Sequence, residues 1–268
     1  MRAMRIAALV FLALVLAASL GANWLAPAPY AEQFREQPDA APSAQHWLGT
    51  DDLGRDRFSR LLYGTRISLL LAPGAALLST ALAGAIGGVA GLAGGWIEAS
   101  AMAATDLVLS MPWLFLLITV RAWLPLNASP LLSVIITFAL LGCLGWAPAA
   151  RVVCADARAF RHSDFVLLAR ASGAGGARLL RRHLLPNLRP VLAAQFWMSI
   201  PVFILAEANL GILGLGVAEP LPSWGSLLRE LEGFSAYRAQ PWLFVPLILL
   251  VATVSCLQMA LQREGAGV

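Results

Sequence analysis

The side chains that could do chemistry are few, and two of them are acids placed inside long apolar stretches, Asp106 and Glu207. A charge in such a stretch is costly unless it faces protein or water, so both are candidate pore or gate residues. For Asp106, the residues favour a carboxylate that caps or pairs locally over a relay group. For Glu207, they favour a gate or a helix-packing hydrogen bond over a substrate contact.

Residues 164–190 form an arginine-rich segment in an otherwise apolar sequence. Five arginines and one histidine fall between Arg170 and Arg189, and such a density cannot sit in hydrocarbon. We expect one short helix to close at the glycines of 173–176 and a second to be stopped by Pro186. The positive-inside rule places this segment in the cytoplasm, where we expect it to dock a partner.

The composition indicates a membrane protein. Of the 268 residues, 59% are hydrophobic and only 13% are charged, which is far too much apolar surface for a soluble domain. All 19 basic residues are arginine, and the net charge is only +4. Because the charges cluster in loops, the high pI reflects membrane topology, and no nucleic-acid partner is expected. The cysteines fit small buried hydrophobes rather than a disulfide framework or metal site: Cys143, Cys154 and Cys256.

The sequence has no motif of a hydrolase, an oxidoreductase or a nucleotide-binding protein. It has no lysine for a phosphate-binding glycine loop, no His-Glu-x-x-His and no Gly-x-Ser-x-Gly. We therefore expect no enzyme activity and no cofactor. Any uphill transport must draw its energy from another subunit.

The elements that position these residues are predicted to be about six transmembrane helices in an all-α, polytopic fold. The expected spans are residues 6–25, 67–93, 101–124, 131–150, 191–217 and 242–261. A cleaved signal peptide is the alternative for the first span, but its length and Trp24 favour a retained helix. Arg2, Arg5 and the even number of spans place both termini in the cytoplasm. The glycines of residues 84–95 predict a helix that packs closely against protein.

Residues 26–66 are polar and contain prolines, and the alternation of spans places them outside the cytoplasm. Gly49 and Gly54 suit tight turns, while Thr50, Asp51 and Asp52 are expected to cap a helix that runs through Arg60. Arg55 and Asp56 complete a motif that we interpret as a turn tied by Asp–Arg pairs rather than a ligand site. His46 has no second ligand at metal spacing.

Several motifs together resemble one protein family. They are residues 46–56, residues 59–69, Gly94-Gly-Trp96, Asp106 with Pro112, residues 213–217 and Pro222-Ser-Trp-Gly225. In this order they look like the C-type permease subunit of bacterial dipeptide, oligopeptide and nickel ABC importers. The resemblance implies a type I ABC importer permease fold in the bacterial inner membrane. It also implies a transmembrane domain over 67–262, preceded by a helix and loop over 1–66.

The resemblance implies partners as well. These are a second permease subunit in a heterodimer, two cytoplasmic ABC ATPases and a periplasmic or lipid-anchored binding protein. Within the cytoplasmic loop 151–190, it assigns ATPase coupling to Asp164, Ala169, Arg170, Ala171, Gly173, Leu185 and Pro186. Where the family usually has Glu-Ala-Ala, this chain has Leu167-Leu168-Ala169, and Asp164 lies about one helical turn earlier. The change is consistent with a substitute acid and a specialised ATPase, or with a divergent or inactive copy.

Three other functions remain open from the sequence. The cargo of such a permease is nickel or another small solute in some relatives, although the resemblance favours peptides. A proton-driven secondary carrier would use Glu207 as its relay and show repeated halves, which the hydropathy does not show. An intramembrane enzyme would need the pair Asp106 and Glu207 at similar depth.

Overall fold

A computed structural model describes residues 2–123, 129–161, 163–172, 175, 179, 182, 185–232 and 240–261. Its α-helices are α1 Arg2–Leu20, α2 Ala22–Leu25, α3 Arg57–Ala93, α4 Gly95–Ser110, α5 Trp113–Trp123, α6 Pro130–Leu144, α7 Ala147–Arg161, α8 Asp164–Ala171, α9 Leu185–Ile212, α10 Trp224–Arg229 and α11 Val245–Leu261. Short 3₁₀ helices cover Glu230–Glu232 and Pro241–Phe244. Among the described residues, extended pairing is limited to a bridge between Thr50 and Asp56. The all-α prediction is confirmed.

Five stretches of the described chain are long and apolar enough to cross a membrane. They are Ala3–Leu20, Arg57–Ala93, Pro130–Arg161, Leu185–Ile212 and Pro241–Leu261. The pair α4 and α5 makes a sixth if it counts as one bent span. The predicted number of spans is therefore confirmed, with a different shape for the third.

The third span is not the single rod expected over 101–124. Its two helices, α4 and α5, meet at 88° around Met111 and Pro112. Met111 is extended, with φ −81° and ψ 136°, because the ring of a following proline disfavours helical backbone. The sequence contained this signal in Pro112.

The helix expected after the polar loop is α3, and its cap differs from the prediction. Asp56 caps it, since its carboxylate accepts a 2.7 Å hydrogen bond from the backbone amide of Ser59. Thr50 and Asp51 are not caps: the Thr50 hydroxyl donates to the carbonyl of Gln37, and Asp51 accepts from loop amides. Asp52 is exposed in the same loop.

The role predicted for Pro186 as a helix stop is wrong. Leu185 and Pro186 both belong to α9, which continues to Ile212, so the helix does not stop at this proline. The helix ends at Ile212, earlier than the predicted residue 217. Gly214 follows with φ +73°, and the amide of Leu215 bonds back to the carbonyl of Leu210.

The chain divides into two compact units. The first contains Met1–Ala72, Val120–Phe138 and Pro201–Val268, and in it α1 packs along α11. The predicted boundary between 1–66 and 67–262 remains a prediction.

The second unit contains Pro73–Thr119 and Ala139–Ile200. In it, α3 packs on α7 through glycines. A Cβ at Gly87 would lie 2.4 Å from the carbonyl oxygen of Ala150, and one at Gly91 would lie 2.5 Å from that of Cys154. This contact bears out the prediction that the glycine-rich helix packs closely against protein.

Candidate functional site

Two glycines shape the loop of residues 26–56. Gly49 has φ +72° and Gly54 has φ +76°, in the left-handed region that favours glycine. A Cβ would lie 2.2 Å from the carbonyl oxygen of Ala40 at Gly49, and 2.3 Å from that of Phe34 at Gly54. Both positions therefore require glycine, as the expected tight turns do.

Asp51 organises the turn between these glycines. Its carboxylate accepts hydrogen bonds from the amides of Leu53 and Arg55, at 3.0 and 2.8 Å. It also accepts from Nε of the Arg55 side chain at 2.7 Å. The interpretation of this motif as a turn tied by an Asp–Arg pair is therefore confirmed, and the pair is buried rather than exposed.

The network continues into α3 and the loop after α9. Arg55 Nη1 donates to Glu219 at 2.5 Å, and Arg60 Nη2 donates to the same carboxylate at 2.9 Å. The arginine side chains are 8% and 1% exposed, whereas that of Glu219 is 52% exposed. Two buried guanidinium groups thus hold one carboxylate that solvent can reach. We call Arg55, Arg60 and Glu219 the carboxylate clamp.

Burial and charge have opposite effects on the pKa values of Arg55, in the clamp, and of Glu230, beside it. Burial alone would lower the pKa of the Arg55 guanidinium, but its hydrogen bond to Asp51 and the charge of Glu219 raise it. Burial raises the pKa of the Glu230 carboxyl, while its ion pair with Arg57 at 2.9 Å acts in the opposite direction. Arg57 also lies 3.4 Å from Asp39.

A cavity of about 700 Å³ borders this network. Its lining carries both signs of charge: Asp39, Asp52, Arg55, Arg57, Arg60, Glu219, Arg229 and Glu230. Its size lies within the range of ligand pockets.

His46 belongs to the same unit and supports the cap of α3. Its Nδ1 lies 2.8 Å from Oδ2 of Asp56, and both side chains are buried. No group of three or more His, Cys, Asp or Glu suited to a metal occurs among the residues that the structure describes.

Glu207 lies in a second buried cluster, which the sequence did not predict. Its carboxylate accepts a 3.3 Å hydrogen bond from Ser68, whose hydroxyl also accepts from the backbone amide of Trp224. The indole of Trp224 is fully buried and donates to Thr65 at 2.9 Å. Glu207 therefore makes the helix-packing hydrogen bond that was one of its two favoured interpretations.

The loop that carries Trp224 packs closely on α3 and α9 at glycines. A Cβ at Gly211 would lie 2.4 Å from Cα of Gly225, and one at Gly64 would lie 3.3 Å from the backbone of Ser223. The Ser223 side chain caps α10 by accepting from the Ser226 amide. The Pro222-Ser-Trp-Gly225 motif is thus a buried packing unit.

Arg121 is a buried arginine that sequence reasoning missed. It is 2% exposed, and its Nε donates to the carbonyl of Leu215 at 2.8 Å. Ser133 receives a 3.3 Å hydrogen bond from Nη2 of Arg121 and accepts another from the amide of Ala218. Both side chains thus form hydrogen bonds with backbone groups of the turn that follows α9. A single arginine near the end of an apolar helix was the available signal.

Asp106 lies in the second unit. Its carboxylate pairs with Arg151 at 2.5 Å, and both side chains are about half exposed. Glu98 pairs with Arg158 and lies 3.9 Å from Arg161. The local pairing favoured for Asp106 is present, between α4 and α7.

Helix α8 holds the described part of the predicted coupling segment. Val166 is buried against Leu179 and Leu92. Leu167 and Leu168 are 49% and 68% exposed. Asp164 begins the helix and Ala171 ends it, and both are exposed.

The other predicted coupling residues are placed as follows. Ala169 and Arg170 are helical, but their side chains lie outside what the structure describes, as does the whole of Gly173. Leu185 and Pro186 belong to α9. A helix eight residues long thus presents two adjacent leucines on its surface.

Apolar helices of this number and length define a multi-pass membrane protein. Residues 83–263 match the family described as binding-protein-dependent transport system inner membrane component. The chain belongs to this family, which confirms the resemblance found in the sequence.

Curated relatives agree with this assignment. The dipeptide transport system permease protein DppC of Bacillus subtilis is 34% identical over 86% of this chain and 70% of its own length. The oligopeptide transport system permease protein OppC of Haemophilus influenzae is 30% identical, over 94% of this chain and 79% of its own. A Brucella suis protein named as a peptide permease is 37% identical over 76% of this chain. The chain spans 66% of the length of that relative, slightly under two thirds.

Proposed function

We propose that this chain is a permease subunit of an ATP-driven ABC importer for di- or oligopeptides. It forms the translocation path with a second, related permease. Two cytoplasmic ATPase subunits drive the cycle, and a periplasmic or lipid-anchored binding protein delivers the substrate. The observation that carries the proposal is the similarity over most of the chain to permeases whose names specify peptides, dipeptides or oligopeptides.

The proposed orientation places the termini and residues 151–190 in the cytoplasm and residues 26–56 on the opposite side. The arginines of α7 and of the segment after α8 support it through the positive-inside rule. The described part of the coupling segment supports it as well, because α8 is anchored by Val166 and exposes Leu167 and Leu168. Exposed leucines on an anchored helix suit burial in a partner.

In this mechanism, α8 transmits motion from the ATPases to the spans. ATP brings the two ATPase subunits together, and α8, seated in a groove of one of them, moves with it. Because Leu92 at the end of α3 packs against the cluster of Val166 and Leu179, movement of α8 is passed to that helix. Alternating access follows from rocking of the spans, and this chain itself hydrolyses no ATP.

The substitution of Leu167 for the usual acid gives the contact an apolar character. We propose that the partner ATPase presents an apolar groove, in which Leu167 and Leu168 replace a charged contact. Asp164, one turn earlier, supplies an acid near the same surface.

The test is transport by the complete complex in sealed lipid vesicles, with binding protein and labelled tripeptide on one side and ATP on the other. We expect ATP-dependent accumulation that is lost when this chain is omitted. Labelled nickel in a parallel assay tests the substrate class. ATP-dependent movement of nickel without movement of peptide would refute the peptide assignment, and accumulation of peptide without ATP would refute the ABC mechanism.

A further inference from the structure

The carboxylate clamp has the arrangement of a ligand site already filled by a side chain of the protein. Arg55 and Arg60 are buried and held in place by Asp51, with Arg55 Nε at 2.7 Å and Arg60 Nε at 3.6 Å from its carboxylate. Their remaining donors converge on Glu219. Guanidinium groups fixed in this way bind carboxylates with several charge-assisted hydrogen bonds and little loss of side-chain entropy.

Glu219 is the exposed partner in this arrangement. Its side chain is 52% exposed, in contrast to 8% for Arg55 and 1% for Arg60. The cavity of about 700 Å³ opens beside it. A carboxylate that enters the cavity therefore meets the same donors that hold Glu219 and competes with it directly.

The cavity lining also contains acids that can attract an ammonium group. Asp39 and Asp52 are exposed acids on the same cavity as the clamp. A lining that carries both guanidinium and carboxylate groups suits a zwitterion, which has a carboxylate at one end and an ammonium at the other. A peptide with free termini has this chemistry.

We propose that the clamp is a receiving site for the C-terminal carboxylate of a peptide, which displaces Glu219 while Asp39 and Asp52 attract the ammonium end. The proposal rests on the proposed function, since it takes peptides as the cargo. It adds a peptide-recognition site on the permease to the recognition that the binding protein performs.

The experiment removes the Glu219 carboxylate from the clamp and offers the two arginines a carboxylate from solution. The full chain carrying Glu219→Ala is purified in detergent, and its melting temperature is measured in sodium acetate and in sodium chloride of equal ionic strength. We expect acetate to raise the melting temperature by roughly 2–6 °C over chloride, because it binds the folded clamp. The wild-type chain, whose clamp is filled, should respond less. Glu36→Ala, which removes an exposed acid of the same loop, should respond as the wild type does.

Trialanine and its variants then identify the ligand class. Trialanine should stabilise the Glu219→Ala chain more than trialanine amide, which lacks the carboxylate, and more than N-acetyl-trialanine, which lacks the ammonium. Adding Arg60→Gln should abolish the response. No response to either acetate or trialanine would overturn the site, and equal responses to trialanine and its amide would overturn the assignment to a peptide terminus.

If Glu219→Ala does not fold, Glu219→Gln keeps the shape and removes the competing charge. Calorimetric titration with trialanine should then show binding at least about threefold tighter than that of the wild type, and equal affinity would overturn the proposal. These measurements need no ATPase. Peptide transport by the complex without carboxylate binding by the chain would reject the site and leave the proposed function standing.

Discussion

Arg60 Nη2 lies 2.9 Å from Oε1 of Glu219, although the two residues are 159 positions apart in the sequence. The pair joins the first turn of α3 to the turn that follows α9. Arg55 joins the same carboxylate from the polar loop. Three segments of the first unit thus meet at one acid.

Removal of that acid should destabilise the protein. Glu219→Ala leaves two buried guanidinium groups without a shared acceptor, so we expect the free energy of unfolding to fall by about 1–3 kcal/mol. The half-exposed position of Glu219 keeps the loss below that of a fully buried pair. Thermal unfolding in detergent measures it. Glu36→Ala is the matched control, and an equal melting temperature for both variants would contradict the role of the clamp.

The buried indole of Trp224 gives a second prediction. Thr65→Val keeps the side-chain shape but removes the acceptor of the indole N–H, which should cost about 1–3 kcal/mol of stability. Thr65→Ser retains the hydroxyl and should cost clearly less. If the two variants unfold at the same temperature, the hydrogen bond does not stabilise the loop against α3.

The contact between Gly211 and Gly225 gives a third. In Gly211→Ala, the new methyl would lie 2.4 Å from the Cα of Gly225, so backbone must shift, and we expect a loss of at least about 1–3 kcal/mol. Gly74→Ala meets no atom within 4 Å and should be neutral, or more stable by about 0.5–1 kcal/mol through its better helix propensity. The thermal stability and yield of the two variants decide this. Equal behaviour of the two alanines would show that α9 and the loop are not in close contact.

The apolar surface of α8 gives the fourth. Leu168→Asp places a charge on the most exposed leucine of this helix, so docking to an apolar groove should fail. We expect the ATPase activity that peptide-loaded binding protein stimulates in the complex to drop at least about tenfold. Leu168→Met keeps the apolar contact and should retain most of it. Full activity in the aspartate variant, with normal assembly, would show that Leu168 does not contact the ATPase.

The membrane spans were predictable from the sequence because each is a long apolar run, and such a run is stable inside the hydrocarbon of a bilayer. It also predicted that Gly87 and Gly91 lie at a helix interface, because small residues four apart form a flat helix face. The bend at Pro112 was missed, although proline gave the local signal. Pro186 was misread as a stop, whereas it lies within α9.

The candidate site was predictable only in its local part. The Asp51–Arg55 pair is four residues apart and follows from the loop motif. The partner of both Arg55 and Arg60 is Glu219, which lies more than 150 residues away, and no local rule joins such positions. The burial of Trp224 could not be predicted either, because it depends on the glycines and hydroxyls of α3 and α9, which are distant in the sequence.

The most direct test of the proposed importer is to determine on which side of the membrane each of its two polar regions lies. In a chain whose native cysteines are replaced by alanine, Asp52→Cys and Leu168→Cys place single thiols in the polar loop and on α8. With a membrane-impermeant maleimide, we expect the first to be labelled in intact cells and the second only after the membrane is opened. Labelling of position 168 from outside intact cells would contradict the account, because α8 could not then reach an ATPase.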